Sequence, residues 1–352
     1  MIAVVGGGLA AAKLVEGYRE AGGEDEIVIW SQDPHGPYHR PPLTKRFLRG
    51  ESEAADALVH PLEWYAEQGV ELKLAEAVSS LDDLRAKVIV LATGARPRPL
   101  DGALALRTLD DAAALRGRAE EARTATVVGG GFVGCEVAAS LTQRGVQVTH
   151  VVREPRLFAA LQAPPLSEAL HQRYRDHGVD LRLESSDLPA ADVVVAGVGV
   201  EPNVELARAA GLEVRSGIVV DECFRTSRDG VHAIGDVAEF YDPLYRRHRR
   251  IEHWSNAAYH GTTLGRRLAG DEDARYEIVS AFFSEEFGQT FRYFGDAEGH
   301  DATALEGDFG GERAVYRFLQ GGGTIAAATQ GLSDDEQDEL KEEIRAGAAA
   351  GS

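Results

Sequence analysis

The chain has 352 residues, with 37 Lys and Arg against 57 Asp and Glu, a formal net charge of −20. At roughly 150 residues per domain the length suggests two or three domains, and the charge removes the global positive field that nucleic acid or an anionic membrane would need. Charged residues at 27% and hydrophobic residues at 44% fit a folded globular chain and argue against extensive disorder.

The first element is Met1-Ile2-Ala3-Val4-Val5, a strand with no basic leader before it, and no apolar run approaches the ~20 residues of a membrane span. A cytoplasmic protein that neither enters a membrane nor binds nucleic acid is expected. Gly6-Gly7-Gly8 follows, then an amphipathic helix over 12–21 and a second strand, Ile27-Val28-Ile29-Trp30. The same order returns later as Val127-Val128-Gly129-Gly130-Gly131-Phe132-Val133-Gly134, a helix from Glu136 to Arg144 and a strand from Val146 to Val152. Each copy is a βαβ unit. Each leads on to a further buried strand, Val88-Ile89-Val90-Leu91-Ala92-Thr93-Gly94 in the first and Val193-Val194-Val195-Ala196-Gly197-Val198-Gly199 in the second. Gly217 to Asp221 and Val231 to Asp236 read as strands that return to the first domain. Beyond Gly270 short aromatic alternations, Ala281-Phe282-Phe283 and Ala314 to Phe318, indicate a mainly antiparallel third domain. Ser333 to Arg345 reads as an acidic exposed helix with Ser333 as N-cap, followed by a frayed tail.

The repeated glycine turn is the feature with chemistry in it. The first glycine permits the tight turn, the second lets a pyrophosphate approach the backbone, and the third packs helix against strand. The phosphates then meet free amides at the helix N-terminus. Two copies imply two dinucleotides; the competing reading is a pair of tight turns in an ordinary doubly wound protein. Ala11 replaces the third glycine of the first copy and is small enough for the packing. Asp33 is the candidate ribose carboxylate after the first copy's second strand. In the second copy Val151-Val152-Arg153-Glu154 places a valine at the expected acid and an arginine beside it, where it would either pair a 2′-phosphate or end an exposed strand.

The segment Pro37-Tyr38-His39-Arg40-Pro41-Pro42-Leu43-Thr44-Lys45 resembles the signature of the FAD-dependent ferredoxin reductases, which supply Rieske dioxygenases and haem monooxygenases and are related to rubredoxin reductases and apoptosis-inducing factor. Ala92 to Pro97, Gly129 to Glu136, Gly235-Asp236-Val237-Ala238 and Ile251 to Ala257 match in the same order. The resemblance runs from Met1 to about Gly295. It implies a flavoprotein with FAD and NAD(P)H as cofactors and an α/β architecture of two Rossmann-like, glutathione-reductase-like dinucleotide-binding domains plus a small α+β C-terminal domain. The expected partition is 1–100 with 218–270 for FAD, 101–217 for NAD(P)H, 271–345 for the C-terminal domain and 346–352 for the tail.

The resemblance also implies roles. Gly6, Gly8 and Ala11 would hold the FAD diphosphate, with Asp33 on the adenosine ribose and Arg40 near the phosphates. Val78, Thr93 and Gly94 would line the FAD site, and Gly235 with Asp236 would hold the ribityl chain and flavin-side phosphate. Gly129, Gly131, Gly134, Arg153 and Gly199 would hold the nicotinamide cofactor. Lys45 and Glu136 resemble an ion pair beside the flavin N5, and Trp254 would lie near the two rings. Without the family context, Lys45 reads as a solvated lysine, Glu136 as a first-turn helix glutamate and Trp254 as core.

Related flavoproteins reduce a disulfide, which needs paired cysteines. Residues 31–50 contain none, and Cys135 and Cys223 stand alone. The expected function is therefore an oxidoreductase carrying electrons from NAD(P)H through flavin to a ferredoxin- or rubredoxin-like iron–sulfur protein. The alternatives are an NAD(P)H oxidase or quinone reductase, and a redox-sensing interaction protein similar to apoptosis-inducing factor. Arg246, Arg247, Arg249 and Arg250 form a basic run suited to an acidic partner, or else pair with the chain's own surplus carboxylates. No metal site is expected, and a monomer or homodimer is. The chain departs from the family in two short links, between Val70 and Val88 and between Val179 and Val193, where relatives carry a β-meander. Phe283 stands where relatives have tryptophan, and Val152 departs from NADH-using members.

Overall fold

Near-continuous runs of Val, Ile and Ala, such as Ile2–Val5 and Val193–Ala196, belong to parallel strands buried on both faces. The computed structural model describes residues 1–350 and divides into two compact units.

The first unit comprises Met1–His39, Ala55–Arg96 and Glu201–Ile278. Its main sheet is five-stranded and parallel, in the order Val231–Ala233, Val88–Leu91, Ile2–Val5, Ile27–Trp30, Val70–Lys73. Helix Leu9–Glu20 follows the glycine turn and packs along helix Trp254–Leu268. The core gathers Ile2, Val4, Leu14, Ile29, Val90, Phe224 and Leu264. Val231–Ala233 joins the main sheet as expected, whereas Ile218–Val220 enters a separate three-stranded sheet with Ala238–Asp242 and Arg247–Arg249.

The second unit comprises Arg40–Ala54, Pro97–Val200 and the chain from Val279. Its parallel sheet is ordered Leu104–Ala105, Val193–Ala196, Thr124–Val128, Gln147–Val151, Asp180–Arg182; the last four repeat the first unit's plan, while the edge strand comes first in the chain here and last there. The central strand again leads through glycines into a helix, Phe132–Gln143. The links expected to be short hold only a three-residue turn, Leu81–Asp83, in the first unit and no helix or strand between Arg182 and Val193 in the second. The C-terminal part is an antiparallel sheet ordered Ala281–Glu286, Gln289–Gly295, Gly323–Gln330, Ala314–Gln320, Ala302–Gly307. Phe282 meets Phe132 edge to face, with ring centroids 4.8 Å apart, so this sheet and helix Phe132–Gln143 share apolar surface.

Ser333 caps the last helix as expected. Its hydroxyl accepts from Glu336 N at 3.3 Å, and Ser333 N donates to the Glu336 carboxylate at 2.8 Å. The helix runs Asp334–Ala350, so residues 346–350 are helical and not frayed. Ile344, Gly347 and Ala348 are buried, and a side chain on Gly347 would collide with the Thr324 backbone. The rest of the expected tail, 351–352, lies outside the described residues.

Candidate functional site

The two glycine turns are nearly superimposable in conformation. Gly6 has φ +113°, and a Cβ there would lie 2.2 Å from the Ala92 carbonyl oxygen; Gly129 has φ +110°, with the Gly197 oxygen at 2.3 Å. Both need the left-handed region and the close approach, so only glycine serves. Gly8 and Gly131 are the N-caps, with ψ −169° and −171°, and neither helix has a side-chain cap or an acid in its first turn. Helix Leu109–Glu121, by contrast, opens with a full Thr108/Asp111 capping box. Two helix N-termini are thus left with open amides, the environment a diphosphate requires. The third position differs. Ala11 is fully buried without strain, while a Cβ on Gly134 would fall 2.0 Å from the Gly129 oxygen.

In the first unit some of the expected FAD residues meet, whereas Arg40, expected near the FAD phosphates, lies in the second unit. Gly6 abuts Ala92 and Thr93, and Gly235 abuts Ala10. Asn203, which the sequence reading missed, fixes the Thr93-Gly94 turn: Thr93 Oγ1 donates to Asn203 O at 2.7 Å, and Asn203 N donates to Gly94 O at 3.0 Å. Val78 is half-buried against the same core. The Asp33 carboxylate accepts from Tyr38 Oη at 2.7 Å and His35 N at 3.0 Å, which fix its position and leave it partly exposed. Asp236 sits in the turn Gly235–Val237, whose first amide is held by His260 Nδ1 at 3.2 Å. Trp254 is 42% exposed, against the core reading of this residue. Its indole N–H donates to His39 Nδ1 at 2.9 Å, a second partner that the sequence reading missed. These groups fit FAD: open amides for its diphosphate, a carboxylate for a ribose, and an exposed indole for a planar ring.

In the second unit Gly129, Gly131 and Gly134 form the second turn and the start of its helix, Gly197 abuts them, Gly199 meets Arg98 instead, and Arg40, Lys45 and Glu136 belong to the same unit. Arg40 donates to Arg107 O at 3.3 Å. Backbone bonds align the end of the second strand with that of the first copy. Val152 N bonds Arg182 O as Ser31 N bonds Lys73 O, and Glu184 N bonds Glu154 O as Ala75 N bonds Asp33 O. Val152 is thus the counterpart of buried Ser31, and Glu154, not Val152, is the counterpart of Asp33. Arg153 is exposed beside it.

Lys45 and Glu136 form a buried ion pair at 2.6 Å, with both side chains less than a tenth exposed. Thr44 Oγ1 donates to the other Glu136 oxygen at 2.5 Å, and Ser284 Oγ lies 2.6 Å from the first. Such donors repay the desolvation of a buried carboxylate. The Lys45 ammonium also stands 5.4 Å from the Phe283 ring. Ser284 and Glu286 were not identified from sequence. Phe282, Ser284 and Glu286 share one strand face, and that period of two was the available signal.

Both cysteines are buried free thiols, and burial above all pushes the Cys135 thiol well up, away from the reactive thiolate. The arginine run is also split. Arg249 pairs with Asp242 at 2.7 Å and covers the Tyr245 ring, and Arg250 pairs with Glu252. Arg246 is exposed at the hairpin turn, and Arg247 is half-buried.

Residues 1–261 match the model of the pyridine nucleotide-disulphide oxidoreductase family. The chain is 32% identical to putidaredoxin reductase from Pseudomonas putida over 372 aligned positions, covering 93% of this chain and 88% of that one. It is 31% identical to rubredoxin-NAD(+) reductase from Ectopseudomonas oleovorans, covering 76% and 80%. The crystal structure of a covalent putidaredoxin reductase–putidaredoxin complex matches with a TM-score of 0.92 at 30% identity, covering 98% of this chain and 93% of that one. No helix among the described residues is long and apolar enough to cross a membrane. With a model match over most of its length and relatives of this identity, the chain belongs to the pyridine nucleotide-disulphide oxidoreductase family, among its ferredoxin and rubredoxin reductases.

Proposed function

We propose that this chain is an FAD-dependent NAD(P)H oxidoreductase that delivers electrons to a ferredoxin- or rubredoxin-like iron–sulfur protein and uses no redox-active disulfide. The observation that carries the reading is the doubled, uncapped glycine turn, each copy following the first of four parallel strands that share one order. The first turn, with Asp33, Val78, Thr93, Gly94, Gly235 and Asp236, holds FAD; the second, with Gly199 and Glu154, holds the nicotinamide cofactor. Glu154 as the counterpart of Asp33 favours NADH, because a carboxylate grips a ribose diol and repels a 2′-phosphate. The division into an FAD domain (1–100, 218–270), a nucleotide domain (101–217) and a C-terminal domain (271–345) is retained with this reading. So is a cytoplasmic location, where NAD(P)H is available.

Bound FAD and NAD(P)H supply hydride transfer and the change from a two-electron donor to one-electron delivery. The protein's part is positioning and charge. Open helix amides and the Asp33 carboxylate orient the dinucleotide. Lys45, held by Glu136, is a fixed positive charge that opposes the negative charge gained on reduction. Trp254, aimed by His39, offers an aromatic face to a planar ring. The partner docks at the hairpin tip through Arg246 and Arg247, while Arg249 and Arg250 hold the hairpin together.

Anaerobic rapid mixing of the purified holoenzyme with NADH tests the reading. Fast bleaching of the flavin, followed by rapid reoxidation on adding an acidic ferredoxin, supports the reductase. Rapid reoxidation by oxygen or quinone but not by ferredoxin supports an oxidase or quinone reductase, and a long-lived reduced complex supports a redox sensor.

A further inference from the structure

Strand Ala281–Glu286 turns Ser284 and Glu286 inward, and both are fully buried. Ser284 Oγ lies 2.6 Å from Glu136 Oε1 and 2.5 Å from Glu286 Oε1, hydrogen-bonding distances to two different carboxyl groups. A hydroxyl has one proton to donate. With both carboxyls ionised, one of the two contacts would set a hydroxyl lone pair against an anion in a dry interior. One more proton must reside in this cluster.

The surroundings decide where it resides. Glu136 receives the Lys45 ammonium at 2.6 Å and the Thr44 hydroxyl at 2.5 Å, donors that favour a carboxylate. Glu286 has Ser284 alone; its Oε2 is buried and has no hydrogen-bond partner among the described residues. Arg173 faces Glu286 but directs its guanidinium to Phe309 O and Gln330 Oε1, each at 3.4 Å.

We propose that Glu286 is a neutral, proton-holding carboxylic acid at neutral pH and a positioning residue for the Lys45–Glu136 pair, with its O–H donating to Ser284 Oγ and the Ser284 proton thereby directed onto Glu136. The Lys45 ammonium then faces one anion and not two. The assignment stands on the buried cluster and holds whether or not the electron-transfer reading does.

The ionisable groups that face Glu286 are Glu136 and Cys135 from helix Phe132–Gln143, Arg173 and Tyr174 from helix Pro164–Asp176, and Lys45 after the turn Pro41–Thr44. Burial and the Glu136 charge push Glu286 up to about 8, against the Ser284 bond and the two cations. Above that pH the proton leaves to water, Ser284 can serve only one carboxylate, and the geometry of the pair loosens.

Infrared spectroscopy of the holoenzyme in heavy water tests this directly. The expected result is a protonated-carboxyl carbonyl band at pH 7 that is absent from Glu286→Gln and titrates away in the wild type with a midpoint near 8. Equilibrium unfolding gives a second readout. The unfolded chain ionises this glutamate near 4.5 and the folded chain near 8, so wild-type stability falls with pH across that interval and levels off above it. Glu286→Gln, which mimics the neutral acid, lacks that slope and gains on the wild type as pH rises; a merely structural role would shift its stability equally at every pH. A wild-type protein without the band at pH 7, or two proteins with the same slope, overturns the proposal. If Glu286→Gln does not fold, the wild-type band and its titration still decide.

Discussion

Gly6 and Gly129 adopt the same conformation in two sheets that share the order of four strands, yet the two copies diverge on either side of that turn. In the first, Ala11 fills the space behind the turn, and Asp33 is clamped by Tyr38 and His35. In the second, Gly134 brings helix and turn into backbone contact, and Glu154, the counterpart of Asp33, is exposed beside Arg153. The difference matches the two ligands proposed. A resident cofactor gains from a fixed carboxylate, since nothing must be reordered to hold it, whereas a cofactor that binds and leaves at each turnover is served by a solvated, mobile one.

The largest effect is expected at the first turn. Gly6→Ala must move the Ala92 backbone, since its Cβ lies 2.2 Å from that oxygen, and the expected outcome is protein that purifies without its yellow colour. Flavin content by absorbance after gel filtration checks this. Next in size is the buried pair. Lys45→Met leaves Glu136 with no cation and should cost about 3–5 kcal/mol in equilibrium unfolding, with Lys45→Met/Glu136→Gln recovering part of the loss. Equal stabilities of single and double variants would show that the two charges are not coupled.

Smaller effects sharpen the account of specificity. Arg246→Glu/Arg247→Glu should slow reduction of an acidic ferredoxin about tenfold at low salt and leave ferricyanide turnover unchanged, because steering by rim charges acts on encounter. Unaltered ferredoxin rates would move docking elsewhere. Glu154→Ala should lower kcat/KM for NADH about tenfold relative to NADPH, the size of one charge-assisted contact. A wild type that prefers NADPH and loses that preference in Arg153→Ala would reverse the assignment.

Much of this was legible in the chain itself. Runs such as Val127-Val128 before three glycines define strand, turn and helix locally, because steric rules at Gly6 and Gly129 leave no other residue type. Lys45 and Glu136 became recognisable only through the resemblance, since ion pairing across 91 positions has no local signature. Strand ends are ambiguous in sequence: only the backbone bond from Glu184 N to Glu154 O shows that Glu154, two residues past Val152, is the positional counterpart of Asp33. The four arginines read as one basic patch, but Arg249 is taken up by Asp242, whose proximity depends on a hairpin, and Arg250 by Glu252 two residues on. Ser284 and Glu286 were hidden because Ser-Glu-Glu looks solvated until a sheet turns alternate residues inward.

The division of labour between the two glycine turns is tested most directly by the flavin of Gly129→Ala, whose Cβ would meet the Gly197 oxygen at 2.3 Å. The account predicts a yellow protein that retains FAD, is bleached by dithionite and then reduces an iron–sulfur acceptor, but is no longer bleached by NADH. A Gly129→Ala protein that folds but loses its flavin, or that NADH still bleaches at the wild-type rate, would contradict it.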